Sequence, residues 1–121
     1  MQVNFSLYFL RLLDKLDEQN QDGVAEFINH VEQNGLYGLA GRNKSSAPQN
    51  PHTKKERANF NHAQKYCLWH YHIGIPNYTG EFGDMTSEYI LHYQRFDDEI
   101  VIVDISTHPP FELPSIDKLS F

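Results

Sequence analysis

Hydrophobic positions along the chain change period several times, and each change marks an element. Val3 and Phe5 alternate within Met1–Ser6, which predicts a short edge strand. Tyr8, Phe9, Leu12, Leu13 and Leu16 then recur at helical spacing, so Leu7–Leu16 reads as a helix with one apolar stripe. Gln19–Asp22 is polar and reads as a turn, with Asp22 as the N-cap of a second helix over Gly23–Gln33. That helix buries Val24, Phe27, Ile28 and Val31 and ends at Asn34-Gly35. Helices so close in sequence are expected to form an antiparallel pair. Leu36–Gly41 is short and apolar, with Leu36 and Leu39 as core plugs.

Arg42–Thr53 carries Pro48 and Pro51 and reads as a loop. Lys54–Gln64 fits either a polar helical turn or an extended lead into the next strand. Lys65–Ile75 alternates as a strand, with Trp69, Tyr71, Ile73 and Ile75 on one face and Leu68, His70, His72 and Gly74 on the other. A loop over Pro76–Asp84 follows. Thr86–Phe96 then alternates again, with Tyr89, Leu91 and Tyr93 opposite Ile90, His92 and Gln94. Asp97-Asp98 turns the chain into Glu99–Ser106, which is apolar on both faces and therefore central in its sheet. His108-Pro109-Pro110-Phe111 breaks that strand, and the tail to Phe121 is weakly patterned, fitting a short strand or a helical turn. The predicted fold class is α+β, a single domain over residues 1–121. Its helix pair packs on one face of a small antiparallel sheet, and the other face is partly open.

Composition agrees with a globular chain: 40% of the 121 residues are hydrophobic and 21% charged. No apolar run approaches the length of a membrane span, and Met1–Leu13 lacks the basic start and cleavage site of a signal peptide. The single cysteine, Cys67, excludes an intrachain disulfide. A cytoplasmic location without membrane contact is the expectation. The net charge of −6 argues against simple nucleic-acid binding. Its distribution changes that picture. Arg42, Lys44, Lys54, Lys55, Arg57 and Lys65 face only Glu56 within residues 42–65, a local +5 on an otherwise acidic chain. That segment reads either as a solvated loop or as a phosphate-binding patch.

The candidate chemistry lies in the histidines. Of seven, His70, His72, His92 and His108 fall in or beside the predicted sheet. His70 and His72 share a strand face about 7 Å apart. Imidazole both takes and gives a proton near neutral pH. Metal-independent RNA cleavage needs a base for the 2′-hydroxyl, an acid for the leaving 5′-oxygen and a cation for the phosphate. The four histidines can supply the first two, and Arg42 or Lys65 the third. A metal site built from His70, His72 and Asp104 or His92 is the competing reading, but no Cys-x-x-Cys or His-Glu-x-x-His motif supports it. No phosphate-loop or nucleophile-elbow motif occurs. Tyr93 and Phe111, each beside a sheet histidine in sequence, are candidate stacking platforms for bases.

These features together resemble the RelE/ParE-type bacterial toxins, and most closely the YafO-like ribosome-dependent RNA interferases. The likeness rests on a first strand and two helices, then Gly41-Arg42-Asn43-Lys44 leading into a basic loop. Trp69-His70-Tyr71-His72, the hairpin Tyr89–Tyr93 and Ile100–Ile105, and His108-Pro109 with Phe111 close behind complete it. The resemblance implies a toxin of a type II toxin–antitoxin system, an endoribonuclease that cleaves mRNA on the ribosome without a cofactor or metal and is neutralised by a cognate antitoxin. Two other readings stay open. One is a ParE-like inhibitor of a protein target. The other is a non-enzymatic immunity or antitoxin-type partner whose acidic surface masks a basic toxin.

Overall fold

The computed structural model describes residues 1–120. In chain order the elements are β1 (Gln2–Phe5), α1 (Leu7–Leu13), α2 (Glu18–Asn34), β2 (Asn43–Ser45), α3 (Lys54–Lys65), β3 (Leu68–His72), β4 (Tyr89–Arg95) and β5 (Glu99–Thr107), with a 3-10 turn at Ile116–Lys118. The fold is α+β, with five strands in the order β1-β5-β4-β3-β2. The sheet is mixed rather than antiparallel, because β1 runs parallel to β5, pairing Gln2 with Glu99 and Phe5 with Ile102. Alternation has the same period in either direction, so the sequence pattern carried no sign of this. β5 is flanked on both edges, as its two apolar faces require.

Several boundaries move for local reasons. α1 stops at Leu13, and α2 begins at Glu18 because Asp17, not Asp22, is its N-cap: the Asn20 amide donates to Asp17 Oδ1 at 2.9 Å. Gln19–Asp22 is therefore helical rather than a turn. Lys54–Lys65 is a full helix, held at its start by a capping box in which Thr53 and Glu56 satisfy each other's backbone amides. The expected strand from Lys65 to Ile75 is accordingly shorter. Lys65 closes α3, the backbone turns through Cys67 at φ 57°, and β3 starts at Leu68.

One face of the sheet meets α1 and α2. Phe9 of α1 and Val24, Phe27 and Val31 of α2 share a buried cluster with Tyr71, Ile73, Ile75, Leu91, Tyr93, Ile100 and Ile102. Phe27 stacks on Tyr71 with ring centroids 4.9 Å apart. The other face is partly covered. Ala63 of α3 and Leu119 pack there on Leu68, Val101 and Val103, and His62 Nε2 lies 2.8 Å from the Pro114 carbonyl, tying the tail to α3. The rest of that face carries the histidines.

A bulge in β5 decides which side chains join them. Pairing runs His92↔Asp104 and then Tyr93↔Ile102, so β5 holds one residue more than β4 at this point. Before the bulge Ile100 and Ile102 face the helices. Beyond it the parity flips, and Asp104 and Ser106 arrive on the histidine side. At the opposite edge Gly41 lets the chain press against β3. A Cβ there would stand 2.0 Å from the His72 carbonyl oxygen and 2.9 Å from the Tyr71 ring. Gly41→Ala should therefore push β2 from β3 and cost about 1–3 kcal/mol as overpacking, measured as a lower urea midpoint. An unchanged midpoint would show that this edge is not held so closely.

Candidate functional site

Register places four side chains in a row across four strands: Lys44 opposite His70, His70 opposite His92, and His92 opposite Asp104. His72 follows on β3, with its ring centroid 6.3 Å from that of His70. Beyond β5 the chain passes through two cis peptide bonds, His108–Pro109 and Pro109–Pro110, and lays His108 and Phe111 over the row. His108 lies 5.7 Å from His72, and Phe111 lies 4.7 Å from His70 and 6.0 Å from His92, centroid to centroid. All four sheet-region histidines singled out from the sequence thus meet at one place.

Their surroundings differ. His70 is 4% exposed and His92 1%. His70 Nδ1 shares a 2.9 Å hydrogen bond with Ser46 Oγ, and His92 Nε2 shares one of 2.8 Å with Ser106 Oγ. His92 Nδ1 is buried with no partner among the described residues. Burial is the main cause that pushes the His70 pKa down to about 3, with the neighbouring His92, His72, Lys44 and His108 adding to it. Burial likewise pushes His92 down to about 4, helped by Lys118 and His108. His72 is lowered too, mainly by burial, although its bond to the Ser87 backbone opposes the shift. Its Nδ1 lies 2.9 Å from the Ser87 carbonyl oxygen and 3.0 Å from the Ser87 amide. Either tautomer is therefore held. With the proton on Nδ1 the ring donates to the carbonyl and leaves Nε2 a bare lone pair. With the proton on Nε2, Nδ1 accepts from the amide.

Two cavities open on either side of His108. One, of about 530 Å³, is lined by Arg42, His72, Asn77, Thr86, Ser87 and His108 among others. Arg42 is held there by a bidentate pair with Asp84, Nε to Oδ1 at 2.7 Å and Nη2 to Oδ2 at 3.1 Å. That pair raises the guanidinium pKa and lowers that of the carboxylate. Among the described residues, it leaves three of the five guanidinium N–H groups unused. The second cavity, of about 370 Å³, is lined by Lys44, Ser46, His70, His108, Phe111 and residues of the 47–49 loop and α3. His92 opens onto neither.

The basic segment divides. Arg42 and Lys44 stand beside the imidazoles, but Lys54, Lys55, Arg57 and Lys65 line neither cavity. Lys54, Lys55 and Arg57 are exposed on the first turns of α3, and Arg57 Nη1 donates to the His52 carbonyl at 2.6 Å. Lys65, at the far end of α3, sits 5.4 Å from the Tyr66 ring. A helix turns only one side to a cavity, and α3 turns Glu56 and Asn59. Tyr93 is a correction as well. It is fully buried on the helix side of the sheet and donates to Asn43 Oδ1 at 2.5 Å, so it is core and not a stacking platform. Its place follows from alternation, since Tyr93 and His92 must point to opposite faces. Phe111 does lie on the imidazoles and keeps 36% of its surface exposed.

The sequence did not point to Ser46, Ser106, Ser87 or Lys118. Lys118 Nζ pairs with Asp104 at 3.0 Å, so Asp104, one of the two residues that could complete a metal set with His70 and His72, is already engaged. Among the described residues no three His, Cys, Asp or Glu side chains are placed to hold a metal ion together. No helix of the described residues is long and apolar enough to cross a membrane. The chain matches no family model, no curated protein and no solved structure.

The depressed imidazole pKa values tie stability to pH. An unfolded histidine titrates near 6.5, whereas His70 and His92 do so near 3 and 4 when folded. Below about pH 6.5 the unfolded chain therefore binds protons that the folded chain does not. The stabilisation is whole above that pH and falls as the pH drops towards the folded values, by up to about 1.4 kcal/mol per pH unit for each ring. Urea titrations between pH 6 and 5 should show a shallower slope for His92→Gln than for the parent chain. Slopes equal to the parent's in both His92→Gln and His70→Asn would remove these rings from the linkage.

Proposed function

We propose that the protein is a metal-independent endoribonuclease, the toxin component of a toxin–antitoxin pair. The β1-α1-α2-β2 start and the histidine-bearing sheet support a reading as a RelE-like toxin, with mRNA on the ribosome as its substrate. The observation that carries the proposal is the meeting of His72, His108 and Arg42 in one open cavity, backed by His70 and His92.

In this reading the scissile phosphate enters the cavity beside Arg42. His72 Nε2, neutral because burial lowers its pKa, takes the 2′-hydroxyl proton. The 2′-oxygen attacks phosphorus, the bond to the 5′-oxygen breaks, and His108 gives that oxygen its proton. The products are a 2′,3′-cyclic phosphate and a 5′-hydroxyl. The free N–H groups of Arg42 stabilise the added negative charge on the crowded phosphate, and Asp84 keeps the guanidinium in place. His70 and His92 are buried positioning groups, held by Ser46 and Ser106. The cognate antitoxin, in turn, covers the histidine face or displaces the 42–65 segment.

The acidic balance of the chain outside residues 42–65 favours a second reading, a binding protein that masks a basic partner. Growth separates the two, since induction of a toxin alone arrests cells and co-expression of its antitoxin restores them. Harmless induction at high level would remove the toxin reading.

With purified protein and RNA, His72→Ala and His108→Ala should each lower the cleavage rate about 10²–10⁴-fold, and Arg42→Ala should do so on the scale of a lost oxyanion donor, about 10²–10³-fold. Full activity in all three variants would move the chemistry elsewhere, and loss of activity on adding EDTA would favour the metal reading.

The pH–rate profile gives a separate check. A base works when deprotonated, so the acidic limb should lie below the ordinary histidine value of 6.5, the direction in which His72 is shifted. A limb above that value would contradict the assignment of His72 as base.

A further inference from the structure

The second cavity is not used by the reaction just described, yet it shares His108 with the first. Three kinds of group line it. Phe111 supplies an aromatic ring that is braced from below by His70 and His92. Lys44 supplies a cation at the mouth, directly across from His70 in the strand register. Gln49 and Asn59 supply two primary amides from separate segments, one from the loop after β2 and one from α3. Neither amide has a hydrogen-bond partner among the described residues, whereas the other polar side chain of this part of α3, Glu56, is taken up by the amides of His52 and Thr53. A volume of about 370 Å³ falls within the usual range of small-molecule pockets.

We infer that this cavity is a subsite for a single unstacked adenine base of the RNA, next to the phosphate that is cut. The inference rests on the RNA-cleavage reading. A flat ring against an aromatic face with a hydrogen-bonding edge beyond it is how proteins hold single-stranded bases. A carboxamide presents one acceptor beside one donor, which matches the N6 donor and adjacent ring-nitrogen acceptor of adenine. Guanine takes an arginine or lysine partner and cytosine a free carboxylate. The cavity offers no arginine, its one lysine, Lys44, is on β2 and not on the loop or helix that carry the two amides, and the Glu56 carboxylate is occupied. Because His108 lines both cavities, a base seated on Phe111 brings its own backbone to the Arg42–His72 side.

The test uses non-cleavable probes, so that binding is read apart from catalysis. The four 2′-O-methyl homotetranucleotides of A, G, C and U are titrated into the intact protein by fluorescence anisotropy. The A probe should bind about tenfold more tightly than the U or C probe. Gln49→Leu with Asn59→Leu should erase that preference while leaving affinity for the U probe and the thermal midpoint near those of the parent. Phe111→Ala should weaken all four probes together, since stacking is tolerant of base identity. Equal binding of all four probes overturns the inference, as does a preference that survives the double leucine variant. Preference for the G probe overturns it in favour of base reading by Lys44. Selective binding of A by a protein that cuts no RNA supports the pocket and sinks the nuclease, and cutting without any base preference does the reverse.

Discussion

The register between β3, β4 and β5 is the constraint on which the imidazole face depends. Pairing of His70 with His92, and of His92 with Asp104, brings together residues 22 and 12 positions apart in the chain. In a sheet with period two, a slip of one residue sends every side chain of a strand to the other face. Here it would exchange His70 and His92 for Tyr71 and Tyr93, placing imidazoles against Phe27 and aromatic hydroxyls in the cavities. The helix-side core prevents that slip, because Tyr71, Leu91, Tyr93, Ile100 and Ile102 fill it together. Hydrophobic packing on one face therefore sets the polar geometry on the other. The β5 bulge makes one local exception, letting Ile102 and Ile105 stay with the core while Asp104 and Ser106 turn to the histidines.

Burying imidazoles has a free-energy cost, and the surrounding groups show how it is contained. Neutral rings are far less costly to bury than charged ones, and burial itself drives His70 and His92 neutral. Each then needs hydrogen bonds, which Ser46 and Ser106 provide from opposite edges of the row. His92 Nδ1 is the remaining debt, an unpaired buried nitrogen worth about 1–3 kcal/mol. Asp104 resists ionisation because it is buried, and Lys118 opposes that by pairing with it. The 3-10 turn that carries Lys118 thus closes the row electrostatically as well as sterically.

Alternation made the face assignments of Trp69–Ile75 and Tyr89–Gln94 legible, and with them the sharing of one side by His70, His72 and His92. The hairpin turn at Asp97-Asp98 was equally readable, since the Phe96 amide does donate to the Glu99 carbonyl across it. What stayed hidden has specific causes. A bulge has no signature in a run as uniformly apolar as Ile100–Val103, so Ser106 gave no reason to be singled out. Asp17 and Asp22 are equally good caps by residue type, and only the tertiary position of α2 chooses between them. The Tyr93 ring was misplaced because nearness to His92 in sequence was weighed above the alternation that separates them. The charge count of residues 42–65 carries no direction, whereas helical geometry turns Glu56 and Asn59 of α3 inward and leaves Lys54, Lys55 and Arg57 on exposed surface.

The net charge of −6 and the proposed site for a phosphate ester are compatible once distance is considered. At physiological ionic strength the Debye length is about 8 Å, so exposed charges farther away than this contribute little at the cavity. What a bound anion meets is local. Asp84 neutralises much of Arg42 but takes only two of its N–H groups, so the guanidinium remains a donor even where its net field is reduced. Lys118 is likewise offset by Asp104, which leaves Lys44 as the cation of the row with no carboxylate partner among the described residues. His70 and His92 add no positive field of their own while neutral. The phosphate of the proposed substrate would therefore be drawn in weakly and held mainly by directed hydrogen bonds. Such a site gains most from the charge that develops during reaction, because interactions stronger in the transition state than in the ground state are the ones that accelerate chemistry.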